Sequence, residues 1–331
     1  MGHGRKDMAN KNLQDIIKYI QKEVKDSDIG LASEDRFIIN RISTEIPLLD
    51  SLLGGGLPFG RTTEIFGDFS AGKTFLAQMM IKAAQNQGYT CGYVDVEKTF
   101  EPKWFRNSGC DLDRLLLSQP AIGEEALDTV IKLIKAKVNI VVLDSIAALM
   151  PATADEEGMD HKFIGVQARL YNDGIKRITS ANKHNESIFI ALNQTRVGIG
   201  GYFPTEALPA GKGQYFFSHI MLKVSRGPAI TDDADKKKKI GFRMKLFVEK
   251  NKTAGTMFQS AEFPFLFSGV IDTYSGLVEL ALDSGVIIQN GPYYSYEGQK
   301  YLGKNNLLEF LKKDDTEYDK LKKKIEGEKG G

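Results

Sequence analysis

Eight consecutive residues constrain this chain more than any others. Gly67, Asp68, Phe69, Ser70, Ala71, Gly72, Lys73 and Thr74 follow a short apolar run, Thr62–Phe66, and open a helical pattern over Lys73–Gln87. Two glycines five apart, the second followed by lysine and threonine, match the phosphate-binding loop. Glycine lets successive amides turn inward around an anion without a Cβ clash. The helix that follows adds the positive end of its dipole. Lys73 can then reach the outer phosphates, the Thr74 hydroxyl can ligate Mg²⁺, and Phe75 continues the cradle. The plainer alternative is an ordinary strand-to-helix turn. The motif requires a strand before and a helix after, and both patterns are present.

From about Ser43 to Phe267 short apolar runs alternate with helical periods. Strands are expected at Thr62–Phe66, Thr90–Val96, Ile140–Asp144 and Ile188–Asn193, and helices at Lys73–Gln87, Glu124–Ala136 and Gly165–Lys183. Apolar strands separated by helices make an α/β fold whose mostly parallel sheet is covered on both faces. "FRMKLFVEKN" and "AEFPFLFSG" alternate and read as added antiparallel strands. Leu13, Ile16, Ile17, Ile20 and Val24 give the N-terminus an amphipathic helix. Three parts follow: residues 1–42, an N-terminal helix and linker for subunit docking; 43–271, the core; and 272–331, a small C-terminal α/β domain with a "NGPYYSYEGQKYLG" hairpin and a short polar tail. "DDADKKKK", 232–239, reads as a solvated loop between strands.

Composition excludes several classes. A net charge of +1 over 331 residues means that any polyanion must be bound by a local surface. Two cysteines, Cys91 and Cys110, permit at most one disulfide and point to a reducing compartment. Four histidines lack the spacing of a zinc site. No apolar run reaches membrane-spanning length, and the N-terminus lacks a signal peptide's apolar segment, so a cytoplasmic location is expected.

Other polar residues fall at the ends of the apolar runs. Asp144 closes "NIVVLD", where an open α/β sheet binds ligands, and is read as a Mg²⁺ ligand through water; a helix N-cap is the alternative. Asp95 and Glu97 follow "GYV", and a carboxylate there can polarise the water that attacks a γ-phosphate. Strand-end capping is equally compatible with their spacing. Asn193 and Gln194 offer amides that can sense a γ-phosphate or merely cap a turn. Val197–Gly213 is a long glycine-rich stretch poor in secondary-structure signal, and loops of that length inside a compact domain are usually functional or disordered.

Taken together the chain resembles the RecA-type DNA strand-exchange recombinases of bacteria and bacteriophages. The resemblance is carried by "LLDSLLGGGLPFGRTTEIFGDFSAGKT", "GYVDVEKTFEP", "LDRLLLSQPAIGEEALD", "NIVVLDSIAALMP", "FIALNQTRVGIG", "KNKTAG" and "QSAEFPFLF", in order from about residue 30 to residue 310. It implies a RecA-type ATPase core using ATP and Mg²⁺, and a helical filament on single-stranded DNA that pairs with homologous duplex. DNA recombination, DNA repair and the SOS response to DNA damage are the implied setting. Mediator and single-strand-binding proteins are candidate partners.

The resemblance also implies residue roles. Glu97 is the catalytic carboxylate, and Gln194 couples the γ-phosphate to the DNA loops. Glu101 and Trp104 contact ribose and adenine, an indole being a good stacking platform; a core aromatic is the alternative for Trp104. Lys250 and Lys252 reach the ATP of the adjacent subunit, though alone they would read as a solvated strand face. Phe217 contacts the neighbouring subunit. The first DNA loop is roughly Ala152–Gly165, with Ile164 and Gly165 and with Arg169 and Lys176 on the following helix. The second is Gln194–Gly213, with Arg196, Ile199, Gly211, Lys212 and Gly213. Backbone amides and these cations would hold phosphates, with Ile164 and Ile199 as candidate wedges between base triplets.

Departures from the family pattern are Lys98 and Thr99 after the glutamate, Gly198 where lysine is frequent, "AGKG" in the second loop and a short C-terminus with four lysines and two glutamates after Lys320. Without a long acidic tail, weaker self-restraint toward duplex DNA is expected, and deletion of Leu321–Gly331 should leave duplex binding little changed. Two rival readings share much of this pattern: a hexameric helicase-type motor and a non-catalytic recombinase paralogue. The "GEEALD" and "LPFGRTTEI" blocks and the C-terminal hairpin argue against the first, and the presence of both Glu97 and Lys73 against the second.

Overall fold

The computed structural model describes residues 3–25, 27–152, 162–183, 185–198, 205–208, 213–232, 235 and 237–328; side chains are described for these except 3–11, 162–164, 196–198, 205–207, 270, 315, 326 and 328. Two compact units result, Met1–Asn40 and Arg41–Gly331. The first carries helix α1 (His3–Glu23) and a short 3₁₀ turn at Asp35–Phe37.

The second unit begins with β1 (Arg41–Ile42), α2 (Pro47–Leu53) and β2 (Leu57–Pro58). It continues through β3 (Thr62–Gly67), α3 (Lys73–Asn86), β4 (Cys91–Asp95), α4 (Pro102–Asn107), β5 (Leu115–Ser118), α5 (Gly123–Lys135) and β6 (Ile140–Asp144). Then come α6 (Lys162–Asn182), β7 (Ile188–Gln194), β8 (Arg196–Gly198), β9 (Thr205–Ala207), α7 (Gly213–Phe217), β10 (Ile220–Thr231), β11 (Lys239–Asn251), β12 (Ser260–Leu266) and β13 (Val270–Ile271). The last elements are α8 (Thr273–Asp283), β14 (Ile288–Asn290), β15 (Tyr293–Tyr296), β16 (Gln299–Leu302), α9 (Lys304–Lys313) and α10 (Asp315–Glu328).

Nine strands form one sheet in the order β13-β12-β11-β10-β3-β7-β6-β4-β5. Strands β10, β3, β7, β6, β4 and β5 run parallel, and β11 to β13 extend the sheet antiparallel. The period of two divides each strand between two cores. Val142, Ile190 and Leu192 join the core under α2 and α3, with Phe75, Leu76 and Met80. Val141, Leu143, Phe189 and Ala191 join the core under α5 and α6, with Leu127, Ile131 and Ile175. Central strands buried on both faces explain the unbroken apolar runs.

The expected strands and helices are present with ends shifted by a few residues. Two of the six parallel strands escaped the sequence pattern. β5 is short, and β10 is interrupted by Gly227-Pro228, where the β10–β11 ladder shifts register. Proline is tolerated at such an irregularity because no ladder bond is required of it. The long glycine-rich stretch contains a short antiparallel pair, Arg196↔Ala207 to Gly198↔Thr205.

The C-terminal segment corrects one expectation. Most of the "polar tail" is helix α10, with Leu321 and Ile325 buried among Leu277, Val278, Leu307 and Leu311. Three consecutive lysines lie between the members of an i,i+4 apolar pair, and that pair decides the structure. Deleting Leu321–Gly331 would therefore open the core of this domain and could not report on restraint alone. Leu321→Ala should lower stability by about 2–5 kcal/mol, read by denaturant titration.

Candidate functional site

The carboxyl ends of β3, β7, β6 and β4 converge on one sheet edge. Gly67 ends β3 against the Val224 carbonyl, where a Cβ would sit 1.9 Å from the oxygen. Gly72, at φ +98°, turns the chain into α3. Ser70 is left-handed and Phe69 is exposed between them. Ala71 is buried, with its amide donating to the Asp68 carbonyl.

Lys73 is buried at the first position of α3. Its Nζ donates to the carbonyls of Gly67 (2.9 Å) and Asp68 (2.7 Å). Burial lowers its pKa, opposed by the carboxylates of Asp144, Glu97 and Asp68. Thr74 Oγ1 donates to Asp144 Oδ2 at 2.9 Å, and Tyr93 OH donates to the same oxygen at 2.5 Å. Burial, first, pushes Asp144 up to about 6 and Tyr93 well above its usual range. A hydroxyl and a carboxylate side by side at this edge are oxygen donors that suit a hard divalent cation.

Glu97 lies just beyond β4. Its Oε1 accepts from Ser145 Oγ at 2.5 Å and from Gln194 Nε2 at 2.8 Å. Val96 and Glu97 amides both donate to the Asp144 carbonyl, which holds this turn against β6. Asp95, by contrast, turns inward: Oδ2 accepts from the Phe100 amide (2.9 Å) and Gln119 Nε2 (2.8 Å). The structure thus separates two acids that spacing left equivalent. Thr195 Oγ1 donates to Asp68 Oδ1 at 2.7 Å, a second tie between β7 and the loop.

Glu101 caps α4, its side chain accepting from the Lys103 amide at 3.1 Å. Trp104 is half-buried, and its ring lies 6.2 Å from that of Phe75. Gly165, Arg169 and Lys176 share one exposed face of α6, with Lys176 paired to Asp173 at 3.4 Å. The Ile164 and Arg196 side chains, and Ile199, Gly211 and Lys212 altogether, lie outside the described residues. Gly213 begins α7 against Asn172 of α6.

Lys250 and Lys252 stand elsewhere. Asn251 pairs with Ile220, which pairs with Thr63, so both lysines lie toward the amino end of β3. Lys250 Nζ donates to the carbonyls of Tyr215 and Ser218, and Lys252 is exposed. They do not join Lys73. Phe217 packs half-buried on the α5–α6 core, whereas Phe216 is 76% exposed. Tyr93, Ser145, Thr195 and Phe216 went unread in the sequence. Tyr93 hid in an apolar run. Only the helix frame of α7 decides which of two adjacent phenylalanines faces out.

A family model, the RecA N-terminal domain, matches residues 11–272. Relatives called "Protein RecA" include that of Acidothermus cellulolyticus, 36% identical over 97% of this chain and 93% of the relative. That of Chlorobaculum parvum is 36% identical over 95% and 91%. That of Francisella tularensis subsp. novicida is 36% identical over 87% and 80%.

His219 sits at the amino end of β3, where its amide donates to the Thr62 carbonyl. Its Nδ1 accepts from the Thr62 amide at 3.1 Å, and burial, then Arg61, Lys250 and Lys252, lower its pKa from 6.5 to about 4. The native state resists protonating this ring, so its contribution is full above the unfolded pKa and is lost as pH falls through about 4. His219→Asn keeps an acceptor and removes the titration. The drop in melting temperature between about pH 7.5 and about pH 5 should be smaller in the variant than in the parent.

Proposed function

This chain belongs to the RecA family, and from that membership we propose that it is an ATP-dependent recombinase. It forms a helical filament on single-stranded DNA and catalyses homologous pairing and strand exchange. The observation that carries the reading is the Gln194–Glu97 hydrogen bond. It joins a carboxylate beside the Lys73 loop to the first residue of the long segment that ends at Gly213. One amide therefore borders both the site of hydrolysis and the second DNA loop.

In this reading Gly67 to Phe75 cradle the phosphates of ATP and Lys73 neutralises the outer ones. Thr74 and Asp144 would hold Mg²⁺, which when bound neutralises charge on the phosphate oxygens. Glu97, positioned by Ser145, orients and polarises the attacking water. Trp104 and Glu101 take the adenine and ribose. Gln194 responds to the γ-phosphate and biases the following segment toward the DNA-binding arrangement, a population shift driven by differential contacts. Arg169, Lys176, Arg196 and Lys212 contribute cations for the DNA backbone.

Lys250 and Lys252 lie at the end of the sheet remote from their own phosphate loop. They fit a role on the nucleotide of a second copy. A contact that joins one end of a protomer to the other end of the next is heterologous and propagates as a helix. Leu13, Ile16, Tyr19 and Val24 of the first unit are exposed, as are Leu116 and Leu117 of edge strand β5 and Phe216. Exposed apolar side chains of this kind supply contact area for such assembly.

Glu97→Gln should lower ATP hydrolysis by at least about 100-fold while ATP-dependent assembly on single-stranded DNA persists. Phosphate release and negative-stain electron microscopy read the two. Closed rings in place of filaments, or an unchanged rate in the variant, would contradict the reading.

A further inference from the structure

The strand that leads into the phosphate loop carries a carboxylate that none of this chemistry uses. Glu64 lies on β3, three residues before Gly67, and is fully buried. Strand alternation turns it away from Ile65 and the α3 side, toward the face covered by α6. Burial pushes its carboxyl up to about 7 against the opposing effect of its hydrogen bonds. A buried acid is costly unless its bonds are needed.

Those bonds reach two other parts of the molecule. Oε1 accepts from Asn193 Nδ2 at 2.9 Å, and Asn193 immediately precedes Gln194. The same Nδ2 donates to Gln214 Oε1 at 2.9 Å, in α7. Oε2 accepts from Ser218 Oγ at 2.9 Å. Ser218 follows α7, its amide bonded to the Gln214 carbonyl, and its own carbonyl receives Lys250 Nζ at 2.5 Å. One carboxylate therefore lies between the strand that bears Gln194 and the segment that holds Lys250.

The surroundings are tight and incompletely paired. Gly213 approaches α6 so closely that a Cβ would fall 1.8 Å from Asn172 Oδ1. Tyr171 OH, Asn172 Oδ1 and Gln214 Nε2 are buried with no hydrogen-bond partner among the described residues. Tyr171 also feels the Glu64 carboxylate. An ionised carboxyl has about four lone-pair sites, so alternative bonding is within its capacity. A polar network of this kind rearranges in discrete steps, because no member moves without leaving another unpaired.

We propose that Glu64 is a positioning residue that couples the phosphate loop of one copy to the Lys250 it presents to the next, through Asn193 on one side and Ser218 on the other. The proposal rests on the recombinase reading above, in which Lys250 serves a neighbour's nucleotide. When β3 and β7 shift on gripping ATP, Asn193 and Glu64 move together, and Ser218 carries the shift to the carbonyl that anchors Lys250. Cooperation between adjacent copies follows from bonds within each one.

Ser218→Ala cuts one arm and leaves Glu64 and Lys73 in place. ATP hydrolysis is measured with and without single-stranded DNA, alongside the melting temperature. The DNA-stimulated kcat should fall about tenfold, within the range of a coupling free energy between sites. The DNA-free rate and the KM for ATP should stay within about twofold. Glu64→Gln, which can still accept from Asn193 and donate to Ser218, should retain most of the stimulation. Glu64→Ala should lose it, and Glu64→Ala with Ser218→Ala should be no worse than Glu64→Ala alone. Full stimulation in Ser218→Ala would overturn the proposal, as would DNA-free and DNA-stimulated rates falling in proportion. A parent chain indifferent to DNA would overturn the recombinase reading and this coupling with it.

Discussion

A buried ammonium beside three carboxylates organises the carboxyl edge of this sheet. Lys73 sits on the first turn of α3, with Asp68, Glu97 and Asp144 around it. An isolated charge at this depth would be strongly disfavoured, and the loop carbonyls that accept from Nζ compensate it. The carboxylates in turn come from three different connections: the loop itself, the turn after β4 and the end of β6. Asp144 and Glu97 are each fixed by two side-chain bonds at strand ends, which is how a site is held by rigid elements instead of by loops alone. The bonds from Tyr93 and Thr74 to one oxygen of Asp144, and from Ser145 and Gln194 to one oxygen of Glu97, complete the set.

The opposite end of the sheet has a different composition. Lys250, Lys252 and His219 gather there, and each lysine lowers the pKa of His219. In the proposed assembly, the positive charge at one end would meet the acids around the phosphate loop of the next copy. Glu64 lies between them on β3. The same strand that delivers the phosphate loop thus carries the polar bonds that reach the basic end.

The phosphate loop and the four central strands were legible because their demands are local: glycine where a Cβ cannot fit, and unbroken apolar runs where both faces are covered. The family resemblance distinguished Glu97 from Asp95; spacing could not, and the structure shows why they differ, one acid turning to Gln194 and the other inward to Gln119. What stayed hidden depends on tertiary context. β10 carries Gly-Pro in its middle and is a strand only because β3 and β11 flank it. α10 looks like a solvated lysine run until Leu321 meets the α8 core. Glu64 sits inside an apolar strand, where a single acid reads as noise until Asn193 and Ser218, far along the chain, are seen to bond it. The order of Phe216 and Phe217 is set by the frame of one short helix.

The measurement that tests the central claim most directly is phosphate release from ATP with and without single-stranded DNA, with Lys73→Ala as the blank. The account predicts strong stimulation by DNA that disappears in the variant, because Gln194, which bonds the carboxylate beside Lys73, begins the segment proposed to bind DNA. A rate that does not respond to single-stranded DNA would contradict it and would leave this chain a nucleotide-binding paralogue.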